Sequence, residues 1–475
     1  MFFDTQVQEL KYKALKEVAT LAWQDNLAKG LLGAAARIVP GPQPTMRCCI
    51  YKERAIMEER LRLAMGGDET NENVIEVINI ACDECPVAGV HVTESCRGCI
   101  AHRCMNACPK NAITIVDHRA HIDQEKCIEC GRCVSVCPYS AIVKSTRPCE
   151  NACKVGAIHM GENKKATIDN DKCIACGACV YQCPFSAIAD KSYILDCIRM
   201  IRESENNTKY QVFAIAAPSI SSQFHNATVE QVAAGLKALG FFNVVEVALG
   251  ADMVAWREAQ ELAEKKFLTS SCCPAFVQYI RKNFPDMAEH ISHNLSPMGE
   301  IAKYIKRIHP GCKVVFVGPC TAKKAERQLE RVKDLVDCVI TFEELQALFD
   351  SKGIDLTQLE GEVLDNASYF GRVFARSGGL AVAVEEALKE HGITEDQFQL
   401  NAISCNGISE CKAALLRASK NVLPNNFIEG MACENGCIGG AGCITHGPKS
   451  RADVDKYGHE AMEKTIRDSI EILNF

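Results

Sequence analysis

Between Cys82 and Cys183 the chain places sixteen cysteines in 102 residues, and their spacing leaves few folds open. Cys127-Ile-Glu-Cys130-Gly-Arg-Cys133-Val-Ser-Val-Cys137-Pro138 and Cys173-Ile-Ala-Cys176-Gly-Ala-Cys179-Val-Tyr-Gln-Cys183-Pro184 both read C-x2-C-x2-C-x3-C-P. Three thiolates on a tight turn can grip three corners of an iron–sulfur cube. The fourth, just before proline, points away and ligates the neighbouring cluster. Zinc sites do not carry that fourth Cys-Pro. A third copy, Cys96-x2-Cys99-x4-Cys104-x3-Cys108-Pro109, has two extra residues in its middle. "NAI" or "SAI" follows each copy, at Asn111–Ile113, Ser140–Ile142 and Ser186–Ile188. The segment has few large apolar residues, so metal binding must supply stability that burial cannot.

The exchange rule assigns one cube to Cys127, Cys130, Cys133 and Cys108, and another to Cys96, Cys99, Cys104 and Cys137. For Cys173, Cys176 and Cys179 the remote ligand must lie elsewhere. Asn151-Ala-Cys153-Lys-Val-Gly-Ala-Ile158 is a worn copy of Asn106-Ala-Cys108-Pro-Lys-Asn-Ala-Ile113, which makes Cys153 the candidate. Cys82, Cys85, Cys149 and Cys183 are left for a fourth cube by elimination alone. Three or four such centres in a row form a wire for single electrons between a soluble donor and a buried reaction site.

Composition narrows the setting. The whole chain holds 29 cysteines in 475 residues, far longer than secreted disulfide scaffolds, so cytoplasmic metal binding is the expectation. Lys and Arg number 53 against 60 Asp and Glu, a net −7 without a block of like charge, which argues against nucleic acid or an anionic membrane as main partner. No apolar run approaches a membrane span, and the N-terminus lacks the order of a signal peptide.

The fold class expected is mixed, α+β and α/β, in four parts. Residues 1–81 read as a helical segment, with helical spacing over 4–30 and 50–65 around a PGPQP break. Residues 82–145 read as a two-cluster ferredoxin-like domain and 146–204 as a further iron–sulfur domain. From 205 to 475, apolar runs at 211–217, 243–249 and 313–317 alternate with helical patterns at 228–239, 251–265, 275–283, 297–308 and 321–331. Such alternation implies a parallel sheet covered by helices, here in two lobes. A closing amphipathic helix is expected over 455–473.

Three cysteine motifs in this last part do not follow ferredoxin spacing: Thr269-Ser-Ser-Cys272-Cys273-Pro274-Ala-Phe276, Gly318-Pro319-Cys320-Thr321-Ala-Lys323-Lys324-Ala-Glu326, and Met431-Ala-Cys433-Glu-Asn-Gly436-Cys437-Ile-Gly-Gly440. Cys320 ends an apolar strand and opens a helix, where α/β sheets place ligands. Cys433 and Cys437 flank a glycine bend. With one member of the Cys272–Cys273 pair they supply four thiolates from three distant loops, enough for one more buried cube. Adjacent cysteines in extended chain point to opposite sides, which leaves the other member free for chemistry. Read without a cofactor, all five are buried structural thiols. Glu258 and Glu261 stand at i and i+3 on one helical face, either a proton path or a solvated surface.

These motifs resemble the signatures of FeFe-hydrogenases over about 95–475, in spellings (CCPAF, GPCTAKKAE, MACENGCIGGAGC) similar to the divergent group B branch. The resemblance implies an H-cluster, a 4Fe–4S cube joined through one cysteine to a two-iron unit carrying CO, cyanide and azadithiolate. By motif, Cys273, Cys320, Cys433 and Cys437 would hold the cube, with Cys437 bridging. Cys272 would face the azadithiolate amine, Lys323 would donate to a cyanide, and Met431, Ser296 and Pro297 would lie beside the two-iron unit. Ser292 matches a relay serine of the family, giving a path Cys272, Glu258, Ser292, Glu261 and solvent, with Lys265 where the family usually has Arg. Gly318, Met298, Phe276 and Gly440-Ala-Gly-Cys443 depart from the best-known members, all at positions implied to surround the two-iron unit.

The expected activity is reversible proton reduction to H2, fed by ferredoxin and dependent on hydrogenase maturases. Two alternatives stand beside it: an H2-sensing or regulatory homologue, and an electron-transfer or assembly protein that never receives the two-iron unit. Cys405, Cys411 and Cys443 are read as structural thiols, Cys312 and Cys338 as core, and His102 as an exposed histidine beside Cys104.

Overall fold

The computed structural model describes residues 3–86, 88–471 and 473. Its last part holds two parallel sheets. One has four strands in the order Asn243–Glu246, Val212–Ala216, Lys313–Gly318 and Cys338–Thr341. The other has three, Leu268–Thr269, Phe427–Met431 and Ala402–Asn406. The Val212–Ala216 strand is buried at every position, as expected of a parallel strand covered on both faces. The long helix Val247–Lys265 packs against Pro297–Ile308, Tyr369–Val373 and Gly379–Glu390.

Differences from the sequence expectation have local causes. The apolar run 243–249 is strand only to Glu246, and the helix starts at Val247. An apolar run of this length does not separate a buried strand from a buried helix start. Here Glu246 marks the join, buried and held by Arg372 at 2.8 Å. The helix expected over 321–331 stops at Glu326. The closing helix is two, Ser450–His459 and Ile466–Glu471, and residue 472 of that stretch lies outside the described residues.

The N-terminal helix Gln6–Trp23 is capped by the Thr5 hydroxyl, which accepts from the Gln8 N–H. It packs along Phe342–Ser351 and the helix Ile50–Ala64. Lys11 pairs with Asp190 at 2.5 Å and Glu343 at 2.6 Å, and Lys324 pairs with Asp190 at 2.7 Å and Glu344 at 2.9 Å. One buried charge network thus ties the N-terminal helix, the cysteine-rich region and the last sheet. No helix among the described residues is long and apolar enough to cross a membrane.

The cysteine-rich region is two similar units, and one interrupts the other. Cys108, Cys137, Cys153 and Cys183 each accept a hydrogen bond from the main-chain N–H of an alanine four residues on, at 3.2–3.3 Å. Cys96 accepts from Ala120 N–H at 3.4 Å and Cys82 from Ala166 N–H at 3.3 Å, in each case an N–H of a hairpin's second strand. Cys82-x2-Cys85 therefore occupies in the second unit the place of Cys96-x2-Cys99 in the first. The strand Ile75–Val77, pairing with Ile188–Asp190, joins the same unit. The boundary expected at residue 82 thus divides elements that pack together. The first unit, closed by antiparallel Gly89–Val92 and Ile142–Ser145, sits between the Cys82–Cys85 loop and the rest of its unit.

Candidate hydrogenase site

The two sheets present their carboxyl ends to one cavity of about 770 Å³. Its lining comes from the segments after five strands: Ala217–Ser219, Val247, Cys272–Pro274, Pro319–Cys320 and Ala432–Cys433, with Gly436, Cys437 and Gly440 closing one side. This is where open α/β sheets bind ligands. Lys323, Met298, Pro297 and Met431 complete the wall.

Local sequence positions each thiol. Cys273 and Cys320 are the N-cap residues of Pro274–Asn283 and Thr321–Glu326, and Pro274 suits the first helical turn. Helix N-termini favour negative charge on both sulfurs. Between Cys433 and Cys437, Asn435 and Gly436 take positive φ of 67° and 80°. A Cβ at Gly436 would meet the Ser377 main-chain nitrogen at 2.6 Å, so only glycine fits this bend. Cys443, fully buried, donates to the carbonyls of Cys437 at 3.7 Å and Ile438 at 3.5 Å, while the Gln8 side chain donates to those of Cys443 and Ile444. Sequence reading left Cys443 without a role, and here it steadies the Cys437 loop.

Both members of the Cys272–Cys273 pair line the cavity. Alternation in extended chain had assigned them to opposite sides, but the chain turns into a helix at Cys273 and the cavity is wide enough to meet both. Burial pushes the Cys320 thiol up to about 11 and Cys437 up to about 12, and Cys272 well above the ordinary value. A bare cavity of this kind holds neutral thiols, and a cationic iron centre is what turns them into thiolates. The donor set, four thiols on one apolar cavity with a fifth beside them, fits a cube with an attached group. Burial works against the Lys323 ammonium, but Glu326 at 2.7 Å outweighs it and raises its pKa. Lys323 Nζ also reaches the Cys272 carbonyl at 3.4 Å. Ser296 is buried next to the wall, its hydroxyl without a partner among the described residues.

Behind Cys272 the predicted path is assembled. Glu258 is 0% exposed, which removes the solvated-face reading for that residue. Its Oε1 accepts from the Ser271 N–H at 3.2 Å and hydroxyl at 3.3 Å, and burial pushes its pKa up to about 7. Ser292 donates to Glu261 Oε2 at 3.1 Å. Burial would raise the Glu261 pKa, but Lys265 at 2.8 Å and His293 at 2.6 Å hold it below the ordinary value. His293, three-quarters exposed, escaped the sequence reading because it belongs to no motif.

The cysteine-rich units place the remaining predicted residues in four sets. Cys96, Cys99, Cys104 and Cys137 line one cavity, and Cys108, Cys127, Cys130 and Cys133 line another. Cys82, Cys85, Cys149 and Cys183 lie within each other's electrostatic reach. So do Cys153, Cys173, Cys176 and Cys179. Cys149 adjoins Cys179, and Cys176 adjoins Cys273 and Cys433, which orders the last two sets toward the large cavity. His102 is half-buried on that first small cavity. Cys405 and Cys411 are buried as neighbours, Cys411 donating to the Met431 carbonyl at 3.6 Å. Cys312 and Cys338 are core.

Comparison with known proteins agrees with this arrangement. Residues 210–441 match the family described as iron-only hydrogenase large subunit, C-terminal domain, residues 95–141 a 4Fe-4S dicluster domain, and residues 126–185 a 4Fe-4S double cluster binding domain. Iron hydrogenase 1 of Clostridium pasteurianum is 29% identical over 404 residues, 73% of this chain and 69% of that protein. The cytosolic Fe-S cluster assembly factor NAR1 of Eremothecium gossypii is 24% identical over 275 residues, 44% of this chain and 61% of that one. A solved structure of the FeFe-hydrogenase HydA1 from Chlamydomonas reinhardtii is 19% identical with a TM-score of 0.49, over 59% of this chain and 93% of that chain. The chain belongs to the iron-only hydrogenase large-subunit family, with 4Fe–4S ferredoxin-like domains ahead of its C-terminal domain.

Proposed function

We propose that this protein is an active FeFe-hydrogenase, interconverting protons and H2 with electrons carried through its 4Fe–4S centres from or to ferredoxin. One observation carries this reading: Cys272, Cys273, Cys320, Cys433 and Cys437 meet with Lys323 and Met431 on a single, otherwise apolar cavity. Cys273, Cys320, Cys433 and Cys437 would hold the H-cluster cube, with Cys437 bridging to the two-iron unit. Lys323, Met431, Ser296 and Pro297 would surround that unit. When bound, the H-cluster supplies the two-electron chemistry of H2.

The chain's own residues handle the proton. Cys272, kept as a thiol by burial, holds one at the cavity wall. Glu258, with its pKa near 7, takes and returns a proton at neutral pH, which is where a general acid–base group works best. The Ser292 hydroxyl both donates and accepts, and ionised Glu261 meets solvent beside Lys265 and His293. The four cysteine sets serve as the electron path, ending at Cys176 beside Cys273. All 29 cysteines stand as free thiols, in keeping with a reducing cytoplasm.

The NAR1 relative supports a second reading, a cluster-assembly or electron-transfer protein without the two-iron unit. Such a protein has no use for an unligated cavity thiol backed by a buried carboxylate of pKa near 7. Infrared bands of bound CO and cyanide after co-expression with maturases test the choice, and their absence overturns the hydrogenase reading. A gas assay with reduced ferredoxin then separates turnover from H2 sensing.

A further inference from the structure

Arg60 and Arg147 are almost fully buried, at 5% and 2% exposure, and neither forms an ion pair with a carboxylate among the described residues. Arg147 Nη1 donates to Cys82 Sγ at 3.8 Å and its Nη2 to the Lys164 carbonyl at 2.5 Å, while its Nε is buried without a partner. Arg60 donates to the Ser186 hydroxyl and, at 3.4 Å, to the Phe185 carbonyl, just beyond Cys183. The charged groups acting on Arg60 are Arg47, which opposes it, and Cys183, which favours it. Guanidinium does not shed its proton in proteins. A buried, unpaired charge costs several kcal/mol, so two of them need negative charge close by. Both end on the set Cys82, Cys85, Cys149 and Cys183, and neutral thiols there would leave them uncompensated.

We infer that Arg60 and Arg147 are the fixed counter-charges of an anionic 4Fe–4S cube held by Cys82, Cys85, Cys149 and Cys183, and that they hold this cube at the highest reduction potential among the accessory centres. Reduction adds an electron to an already negative cluster, and buried positive charge favours the reduced form. Net charge, hydrogen bonds to sulfur and exposure are the protein's levers on cluster potential. In the first unit Arg97 and Arg103 beside Cys96, Cys99 and Cys104 are exposed, where water screens them. The third station from the outside is then a resting place for an electron before it moves to the Cys153, Cys173, Cys176 and Cys179 set.

This rests on the proposed electron path, and one experiment separates the two. The full chain, reconstituted anaerobically with iron and sulfide, is titrated by redox-monitored electron paramagnetic resonance as wild type and as Arg60→Gln, Arg147→Gln, Arg60→Lys and Arg147→Lys, with iron counted in each. About sixteen accessory irons are expected in the wild type, four per cube; about twelve would refute the fourth cube itself. With the count intact, each Gln variant is expected to move one accessory centre, the most easily reduced, to more negative potential, while the Lys variants keep it near the wild-type value. Loss of that one cube in a Gln variant, with retention in the matching Lys variant, also supports charge compensation. An unmoved potential in both Gln variants, or equal shifts in the Lys and Gln variants, overturns the inference.

Discussion

Glu258 Oε1 accepts hydrogen bonds from both the main-chain N–H and the hydroxyl of Ser271, the residue directly before Cys272. The buried carboxylate is thereby fixed to the loop that carries the cavity thiol, although fourteen positions separate them in the chain. Cys272→Ala should lose nearly all H2 turnover while retaining its clusters by iron content and infrared bands. Glu258→Gln keeps the shape and removes the base, and a loss of about 10²–10⁴-fold is expected. Wild-type turnover in either variant would refute the relay.

At the outer end, His293 Nδ1 lies 2.6 Å from Glu261 Oε1, and the His293 N–H also points to that carboxylate. His293→Ala removes one of the two side chains that hold Glu261 ionised. Its pKa should move up toward the ordinary carboxylate value. The acid limb of the turnover–pH profile should then shift to higher pH, with a loss of up to about tenfold at the optimum. The same variant assayed with added imidazole should recover part of that loss. An unchanged profile would mean that protons reach Glu261 by another route.

How far the sequence leads depends on whether spacing or packing decides the feature. The C-x2-C-x2-C-x3-C-P runs group Cys96, Cys99, Cys104 and Cys137 because cube geometry is local and strict, and those four do line one cavity. Cys82 could be placed only by elimination, since its equivalence to Cys96 rests on a hydrogen bond from Ala166, 84 residues away. The helix start at Val247 was hidden inside an apolar run. Asn111, Ser140 and Ser186 share φ of 47–49°, so the recurring "NAI" and "SAI" mark a left-handed turn after each Cys-Pro. His293, Arg60 and Arg147 gave no signal, because their meaning lies in partners from other segments.

Lys324 stands next to Lys323 in the sequence but faces the other way, fully buried between Asp190 and Glu344. Removing one partner of a buried ion network leaves charge without compensation, at about 3–5 kcal/mol. Lys324→Met should therefore lower the urea midpoint strongly, with Lys323→Met much milder because Glu326 retains some exposure. Near-equal midpoints would show that the network contributes little to holding the cysteine-rich region on the last sheet.

Asp252 gives the clearest pH dependence. It is 0% exposed and accepts from the Ser368 N–H at 2.8 Å, the Ser368 hydroxyl at 2.6 Å and the Ser469 hydroxyl at 2.9 Å. Burial pushes its pKa from 3.8 up to about 7, against the pull of those donors. The folded state therefore keeps a proton that the unfolded chain releases. The stability this adds is full below pH 3.8 and is lost as pH rises through about 7. A shift of this size corresponds to on the order of 4 kcal/mol. Glu258, also raised to about 7, contributes a second loss over nearly the same range. Unfolding free energy should thus fall between pH 5 and pH 8, and Asp252→Asn should remove roughly half of the fall. Equal slopes for wild type and Asp252→Asn would mean that Asp252 is ionised in the folded protein throughout this range, with a counter-charge reaching it from outside the three hydroxyl and amide donors.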